Sequence, residues 1–197
     1  MKIIHQDITL RTIEQADIER IRGWRNDESV NKYLKTRKEI SAGEQIEWFN
    51  SRDPKTSIYF MMEHVCVPFG LIYVDSINLE EMSFEGSIFT GDSDYMNSHL
   101  PVKAIMMLFV LFFEHLHFEL LYSRVHYKNA AAVEINRHLG FKDLRREGEL
   151  IFSRCTKSDF ESKSASLKKT LLREIPIEIT IDNRDEKYGF AKTLFDA

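Results

Sequence analysis

The stretch that decides the fold is YSRVHYKNAAAVEINRHLGF, residues 122–141. The residues that lead into it and begin it, from Leu121 to Tyr127, include the apolar and aromatic residues that β-strands favour. Asn129 is a preferred N-cap residue, and a helix over 130–139 follows naturally from it. Gly140 then stands where a left-handed C-terminal cap is expected. The stretch therefore predicts a strand that leads directly into a helix.

The segment before this stretch predicts a meander of strands followed by a long helix. Ser57 to Glu63, Phe69 to Asp75 and Ser83 to Phe89 are short β-rich runs separated by turn residues. Strands spaced so closely are expected to pair antiparallel. Residues 101–118 are strongly apolar and predict a helix, with Pro101 in its first turn, where the missing N–H matters least.

The two ends of the chain add further elements. Asp7 to Arg11 predicts the first strand, Glu14 to Trp24 carries apolar residues at helical spacing, and Ser41 with Glu44 resembles the capping box of a second helix. Glu149 to Cys155 predicts another strand.

The segment after Lys157 is more polar. It predicts a helix over residues 162–174, a strand over 175–181 and a polar tail that contains Phe190 and Phe195. We therefore expect an α+β domain at residues 1–158 and a C-terminal helix-strand appendage at 159–197. The appendage is a candidate packing surface for the domain or for a second subunit, which would give a homodimer.

Composition limits the classes of function. The 197 residues carry a formal net charge of −4 with basic and acidic residues intermixed, so we expect a small-molecule partner and neither nucleic acid nor membrane. The apolar run from Ile105 to Phe113 is about half the length of a spanning helix. The N-terminus lacks a signal-peptide pattern, which favours a cytoplasmic location. Cys66 and Cys155 sit in apolar stretches without metal-ligand spacing, so both are expected to be buried and reduced, with no metal site.

Residues 122–141 resemble the GNAT N-acetyltransferase pattern, V-x-x-x-N followed by a small residue and a helix that ends in L-G-F. Phe112 to Leu116 resembles the end of that family's central helix, and Ser83 to Ile88 resembles its fourth strand. The resemblance runs from about Asp7 to Phe160. It implies a mixed, twisted sheet of about seven strands flanked by helices, splayed between strands four and five, and acetyl-CoA as co-substrate.

The resemblance also implies which residues hold CoA. In the family, the pantetheine arm pairs with the fourth strand, here Ile88, Phe89 and Thr90. The family's pyrophosphate loop, Q/R-x-x-G-x-G/A, corresponds to residues 96–101, where other residues fill both glycine positions. Glycine lets successive amides close on a phosphate, so the loop departs from the pattern. The remaining candidate contacts are Ser98, His99, Leu100, Val102, Lys103 and Asn129.

Three side chains are candidates for the chemistry. Glu85 could accept the amine proton, or it could pair with a base such as Arg124 or remain solvated. His126 could be a base or an acceptor ligand, or an ordinary half-buried histidine. Asn136 occupies the position of the family's thiolate-protonating tyrosine. Because an amide cannot act as a general acid, it would hold a water or the thiolate by hydrogen bonding.

Trp24, Arg25, Asn26 and Trp48 are the candidates to bind the acceptor. Aromatic faces suit a sugar ring or base and a guanidinium suits a phosphate, although both tryptophans could be core anchors instead. With Leu10-Arg11, these residues resemble acetyltransferases that modify nucleotide-linked amino sugars, of the pseudaminic-acid type. Related enzymes for ribosomal proteins or antibiotics carry a similar Arg-Asn or Arg-Asp pair. The sequence predicts an N-acetyltransferase for a small amine, and the alternative is a GNAT-like binding or scaffold module that has lost catalysis.

Overall fold

The computed structural model describes residues 1–34, 37–173 and 175–181. These residues form one mixed sheet of nine strands in the order β7-β8-β6-β5-β4-β3-β2-β1-β9. The strands are β1 (Lys2–His5), β2 (Ile8–Thr12), β3 (Ile58–His64), β4 (Val67–Asn78), β5 (Ser83–Thr90), β6 (Leu120–His126), β7 (Lys142–Glu147), β8 (Leu150–Thr156) and β9 (Glu178–Thr180). The expected α+β class is confirmed.

Helices cover both faces of the sheet. They are α1 (Ile18–Asn26), α2 (Glu28–Asn31), α3 (Ala42–Ser51), α4 (Leu100–Val110), α5 (Ala130–Leu139) and α6 (Lys157–Leu172). The larger core lies on the face that carries α4, α5 and α6, and a smaller apolar cluster lies under α1 and α3. We refer to these as the α4–α6 face and the α1–α3 face.

Strands β1 to β5 form an antiparallel meander, and β6 then joins β5 in parallel. The parallel pairing runs only from Ser83↔Leu120 to Glu85↔Tyr122. Beyond this point the fourth and fifth strands of the expected domain, β5 and β6, diverge. The predicted splay is therefore present, and it leaves one edge of β5 without a strand partner.

The expected count of about seven strands was too low, because β1 and β7 were missed. All six residues of β7 are exposed, and its sequence KDLRRE shows no apolar alternation. Charged side chains are a common protection for a strand at the edge of a sheet. Strand β1 has only four residues and lies before Asp7, where the predicted elements begin.

The apolar helix expected over residues 101–118 is shorter than predicted. It begins at Leu100 and, after Val110, continues only as a π-helical turn at Leu111–His115. The wider turn brings Phe112 against Phe84, with ring centroids 4.4 Å apart. His117 adopts a left-handed conformation, with φ 57°, that ends the helical path.

The C-terminal segment packs against the main domain over the residues that the structure describes. Phe160 and Leu172 of α6 are buried in the larger core, and β9 pairs with β1. His5 Nε2 lies 3.1 Å from the carbonyl oxygen of Leu172, which ties the first strand to the end of α6. The division at residue 158 remains a prediction. The predicted polar tail, residues 182–197 with Phe190 and Phe195, lies outside the described residues.

Cys155 is buried as expected, whereas Cys66 is exposed. Cys66 and Val65 both adopt left-handed conformations, φ 65° and 49°, in the turn that joins β3 to β4. The hairpin needs a tight turn inside the apolar stretch, which places the thiol in solvent. Within the described residues, no helix is long and apolar enough to cross a membrane.

Candidate functional site

The candidate site is the gap where β5 and β6 separate. Beyond Glu85, β5 runs on to Thr90 and remains paired with β4 on its other side. Backbone groups that point away from β4, in the segment containing Ile88, Phe89 and Thr90, therefore have no strand partner. The gap also separates two environments, because Ile88 packs against the larger core and Phe89 against the cluster under α1 and α3.

The loop before α4 borders the same gap and is partly closed on itself. The Ser98 hydroxyl donates to the carbonyl oxygen of Tyr95 at 2.8 Å and accepts from the Leu100 amide at 3.3 Å. His99 is exposed and occupies the N-cap position without a capping side-chain bond. Among the described residues, no acceptor binds the amide of Val102. The Ser98 hydroxyl and the Leu100 amide are thus bonded to each other, whereas the Val102 amide remains available as a donor at the helix N-terminus.

Lys103 does not contribute its charge to this loop. Its side chain is buried, and its ammonium donates to Gln6 Oε1 at 3.0 Å and to Asp7 Oδ1 at 3.1 Å. Burial alone would raise the pKa of Asp7, but the hydrogen bond and charge of Lys103 lower it overall. Helical geometry directs this side chain toward the β1–β2 turn, where its charge is already bound, and the expected contact of Lys103 with a phosphate stays a prediction.

Tyr95 holds the loop against the sheet. Its ring stacks on Phe69 with centroids 4.9 Å apart, and His64 meets it edge-on at 5.8 Å. His64 Nε2 in turn lies 3.1 Å from Asp7 Oδ2, the same carboxylate that binds Lys103. The position of the loop therefore depends on the β1–β2 and β3–β4 turns as well as on α4.

On the α1–α3 face, the Glu85 carboxylate pairs with the Nε of Arg124. Both side chains are partly buried, with exposures of 13% for Glu85 and 34% for Arg124. The hydrogen bond to Glu85 raises the pKa of Arg124. The structure thus contains the ion pair that the sequence left open as an alternative.

His126 lies at the end of β6 with only 5% of its side chain exposed. Its Nδ1 accepts from the Lys128 amide at 3.1 Å, which assigns the proton of the neutral ring to Nε2. Nε2 is 3.3 Å from Glu149 Oε2 but makes no well-directed hydrogen bond. The contact with His126 is the main cause that lowers the pKa of Glu149, and the positive charge of Arg37 adds a smaller effect in the same direction. The ring has one nitrogen engaged and the other facing a carboxylate.

The two asparagines are engaged near α5. Asn136 Nδ2 donates to Ser123 Oγ at 3.1 Å. Ser123 follows Tyr122 by one residue on β6, so this contact lies on the α4–α6 face, opposite Glu85. Asn129 Oδ1 accepts from the Ala132 amide at 3.2 Å and caps α5. Contacts of either residue with CoA remain predictions.

A pocket opens on the α1–α3 face beside the gap. Aromatic side chains form most of its wall: Trp48, Tyr59, Tyr73 and Phe89. Aliphatic side chains and one guanidinium complete it: Ile21, Leu34, Leu71 and Arg25. Two of the predicted acceptor residues, Arg25 and Trp48, are therefore brought together.

The other two predicted acceptor residues have structural contacts. The Trp24 ring meets Phe89 edge-on at 6.5 Å and fills the space beside Gly91, where a Cβ atom would come within 2.1 Å of it. Asn26 donates to and accepts from the backbone of Ile40, each at 2.9 Å. Trp24 is a packing residue, and Asn26 fixes the chain that leads into α3.

Tyr59 and Tyr73 form the floor of this pocket and were not among the predicted site residues. Their rings stack with centroids 4.7 Å apart, and Trp48 meets Tyr59 edge-on at 5.1 Å. Burial raises the pKa of Tyr59 to about 12 and also raises the pKa of Tyr73. Each tyrosine lies in the middle of a predicted strand, but only the β3–β4 register places them side by side. In the described part of the chain, no group of three or more His, Cys, Asp or Glu could hold a metal ion.

Several known proteins are similar to this chain in sequence or in structure. A family model described as acetyltransferase (GNAT) domain matches residues 7–142. Spermidine N-acetyltransferase from Vibrio cholerae, in complex with CoA and spermine, superposes with a TM-score of 0.71 at 20% identity, covering 79% of this chain and 99% of that one. Apo FdhC, a nucleotide-linked sugar GNAT, gives 0.71 at 19% identity over 87% and 98%.

An uncharacterized protein from Bacillus halodurans superposes with a TM-score of 0.73 at 12% identity, covering 87% of this chain and 97% of that one. No curated protein matches the sequence. At these sequence identities, the structural similarity establishes the fold alone. The class of acceptor is inferred from the side chains of the site.

Proposed function

The chain belongs to the GNAT acetyltransferase family, and we propose that it transfers the acetyl group of acetyl-CoA to the nitrogen of a small amine. The observation that carries this proposal is the gap between β5 and β6, which lies between the N-terminus of α4 and the aromatic pocket. A donor and an acceptor can therefore approach each other from opposite faces of the sheet.

The gap fits the elongated arm of CoA, because an unpaired strand edge can bind amide groups in an extended chain. Residues Ile88, Phe89 and Thr90 would supply that edge. The Val102 amide, with the partial positive charge of the α4 N-terminus, would meet a phosphate oxygen. When bound, acetyl-CoA supplies the thioester carbonyl that the amine attacks.

The candidate catalytic residues divide between the two faces. Glu85 would accept a hydrogen bond from the amine or take its proton through water, with Arg124 fixing the carboxylate. His126 would orient the acceptor at the end of β6. Asn136 would hold a water or the leaving sulfur from the α4–α6 face. These roles are proposals that rest on the positions of the side chains around the gap.

The pocket favours an acceptor that carries a ring and an anionic group. Arg25 lines it and has no carboxylate partner among the described residues, and no acidic side chain lines the pocket. Stacked aromatic rings suit a sugar or base, whereas a polyamine would need carboxylates to balance its charge. A nucleotide-linked amino sugar fits this chemistry.

One observation favours a second candidate, a GNAT-shaped binding module without catalysis. The loop before α4 bonds internally through Ser98, Pro101 supplies no donor, and the Lys103 charge is directed elsewhere. Such a loop would hold a pyrophosphate weakly. In that case the chain would serve as a sensor or scaffold.

Two measurements decide between these candidates. A melting-temperature titration with acetyl-CoA reports binding, since ligand at a hundred times its dissociation constant stabilises a protein by about 2.7 kcal/mol. Thiol release is then measured with a phosphate-bearing amino sugar, a neutral amino sugar and spermidine. We expect stabilisation and turnover with the first acceptor. A lack of stabilisation at millimolar acetyl-CoA would favour the module.

The Arg25→Gln variant tests the acceptor class within the same assay. It should raise KM for the phosphate-bearing amine by tenfold or more and leave KM for the neutral amine nearly unchanged, because only the anion contact is lost. Equal effects on both amines would exclude an anion contact. A cytoplasmic location and a homodimer through residues 159–197 also remain proposals, the second testable by light scattering.

A further inference from the structure

We propose that Ser87 is a further catalytic residue of this site and that Tyr73 is the positioning residue that orients its hydroxyl. The proposal rests on the proposed acetyl transfer and concerns the point where the aromatic pocket meets the gap. Neither residue belongs to the set that the sequence suggested. Both are identified by the register of the sheet.

The register places Ser87 at the border of the gap. Glu85 is the last residue of β5 that pairs with β6, and Ser87 is the next residue on the same face of the strand. On its other side, Ser87 lies directly opposite Tyr73 of β4. The Ser87 side chain therefore has a strand neighbour on the β4 side and the open gap on the β6 side.

Tyr73 connects this position to the acceptor pocket. Its ring lines the pocket together with Arg25 and Phe89, and Ser87 stands directly opposite it on β5, close enough for its hydroxyl to interact with the phenol and act to lower the pKa of Tyr73. Burial, reinforced by the nearby charge of Asp75, raises the pKa of Tyr73, so the phenol keeps its proton at neutral pH. A protonated phenol can donate to the Ser87 oxygen and so turn the Ser87 proton toward the gap.

The two other candidate catalytic groups on this face, Glu85 and His126, already have partners. Arg124 holds the Glu85 carboxylate, and the Lys128 amide occupies Nδ1 of His126. The serine hydroxyl is thus well placed to donate a hydrogen bond to the oxygen that gains negative charge as the amine attacks. No covalent bond to Ser87 forms or breaks, and the residue acts through electrostatic stabilisation alone.

The test compares Ser87→Ala, Tyr73→Phe and the double variant in the thiol-release assay, with kcat and KM determined separately. Loss of one oxyanion donor typically lowers kcat by about 10²–10³-fold, which we expect for Ser87→Ala. Tyr73→Phe should lower kcat by roughly tenfold, because an unoriented hydroxyl still donates part of the time. The double variant should match Ser87→Ala alone, since the phenol acts through the serine.

Matched controls lie on the paired side of the split. Ser83→Ala and Tyr122→Phe remove the same hydroxyl types where β5 and β6 are still joined, and both should leave kcat within about twofold of the wild type. Ser87→Thr keeps a hydroxyl and should retain most of the activity, which separates chemistry from misfolding. Each variant is also checked by melting temperature and by its acetyl-CoA affinity.

Several outcomes would overturn the inference. A Ser87→Ala variant with a normal kcat would remove Ser87 from the reaction. A Tyr73→Phe effect that adds fully to that of Ser87→Ala would show that the phenol acts independently. A wild-type protein without turnover on any amine would refute the proposed function and this inference together. Wild-type turnover combined with an unaffected Ser87→Ala would refute this inference alone.

Discussion

Replacing Asp7 by alanine should leave the buried ammonium of Lys103 with Gln6 as its remaining partner. The Lys103 side chain is only 5% exposed, whereas that of Asp7 is 44% exposed. The lost contact is a charge-assisted hydrogen bond of 3.1 Å, a type that contributes about 1.5–3 kcal/mol. Because solvent reaches Asp7 and screens the pair, we expect a loss near the lower half of that range, about 2 kcal/mol.

A loss of about 2 kcal/mol corresponds to a fall in melting temperature of roughly 4–8 °C for a chain of this size. The matched variant is Lys103→Met, which removes the charge together with its desolvation cost and should change stability by less than about 1 kcal/mol. The double variant should then be as stable as Lys103→Met. Chemical denaturation gives the free energies of unfolding for this cycle.

The same variants test the assignment of Lys103. Because its ammonium binds Gln6 and Asp7, Lys103→Met should leave the acetyl-CoA dissociation constant within about twofold of the wild type. Isothermal titration measures this directly. An Asp7→Ala variant as stable as the wild type, or a Lys103→Met variant that binds acetyl-CoA tenfold or more weakly, would contradict this assignment.

Four further predictions address packing, pH, catalysis and the loop. Gly91→Ala forces a Cβ atom into the Trp24 ring and should destabilise the protein by about 1–3 kcal/mol, whereas Gly23→Ala, with no atom within 4 Å, should be neutral or stabilising in thermal melts. Burial lowers the pKa of His5 below its ordinary 6.5, so stability should be complete above that pH and fall as the pH drops through the folded-state value; His5→Gln should remove this slope. Glu85→Gln should lower kcat by about 10²–10⁴-fold without changing acetyl-CoA affinity if Glu85 is the base, and an unchanged rate would reduce it to a partner of Arg124. The double variant His99→Gly/Pro101→Gly should tighten acetyl-CoA binding by about tenfold in isothermal titration, since it opens the loop and restores a donor; a weaker affinity would mean that the loop serves another ligand.

Local patterns were sufficient for much of the fold. The capping box at Ser41 and Glu44, the Asn129 cap and the left-handed Gly140 all occur as predicted, because each depends on residues adjacent in sequence. Strand β7 could not be found in this way, since its exposed, charged residues carry no apolar periodicity. Its pairing with β8 is a tertiary property.

Only those parts of the candidate site that follow from the residue type itself could be predicted from the sequence. Arg25 and Trp48 line the same aromatic pocket, and their contact with an acceptor stays a prediction, whereas Asn26 binds the backbone of Ile40, a contact that spans 14 positions in sequence. The sequence did not identify Tyr73 as a site residue, because a tyrosine in a strand is ordinarily a core residue. Its place beside the gap follows from the registers of β4 and β5, which periodicity does not contain.

The proposed reaction moves an acetyl group from acetyl-CoA to a small amine held in the aromatic pocket. The most direct test is mass spectrometry of a phosphate-bearing amino sugar after incubation with acetyl-CoA and the protein, with Arg25→Gln as the matched control. We expect a gain of one acetyl group on the amine, at a rate that falls when Arg25 is replaced and the acceptor is limiting. An unmodified amine in the presence of protein that binds acetyl-CoA would contradict it.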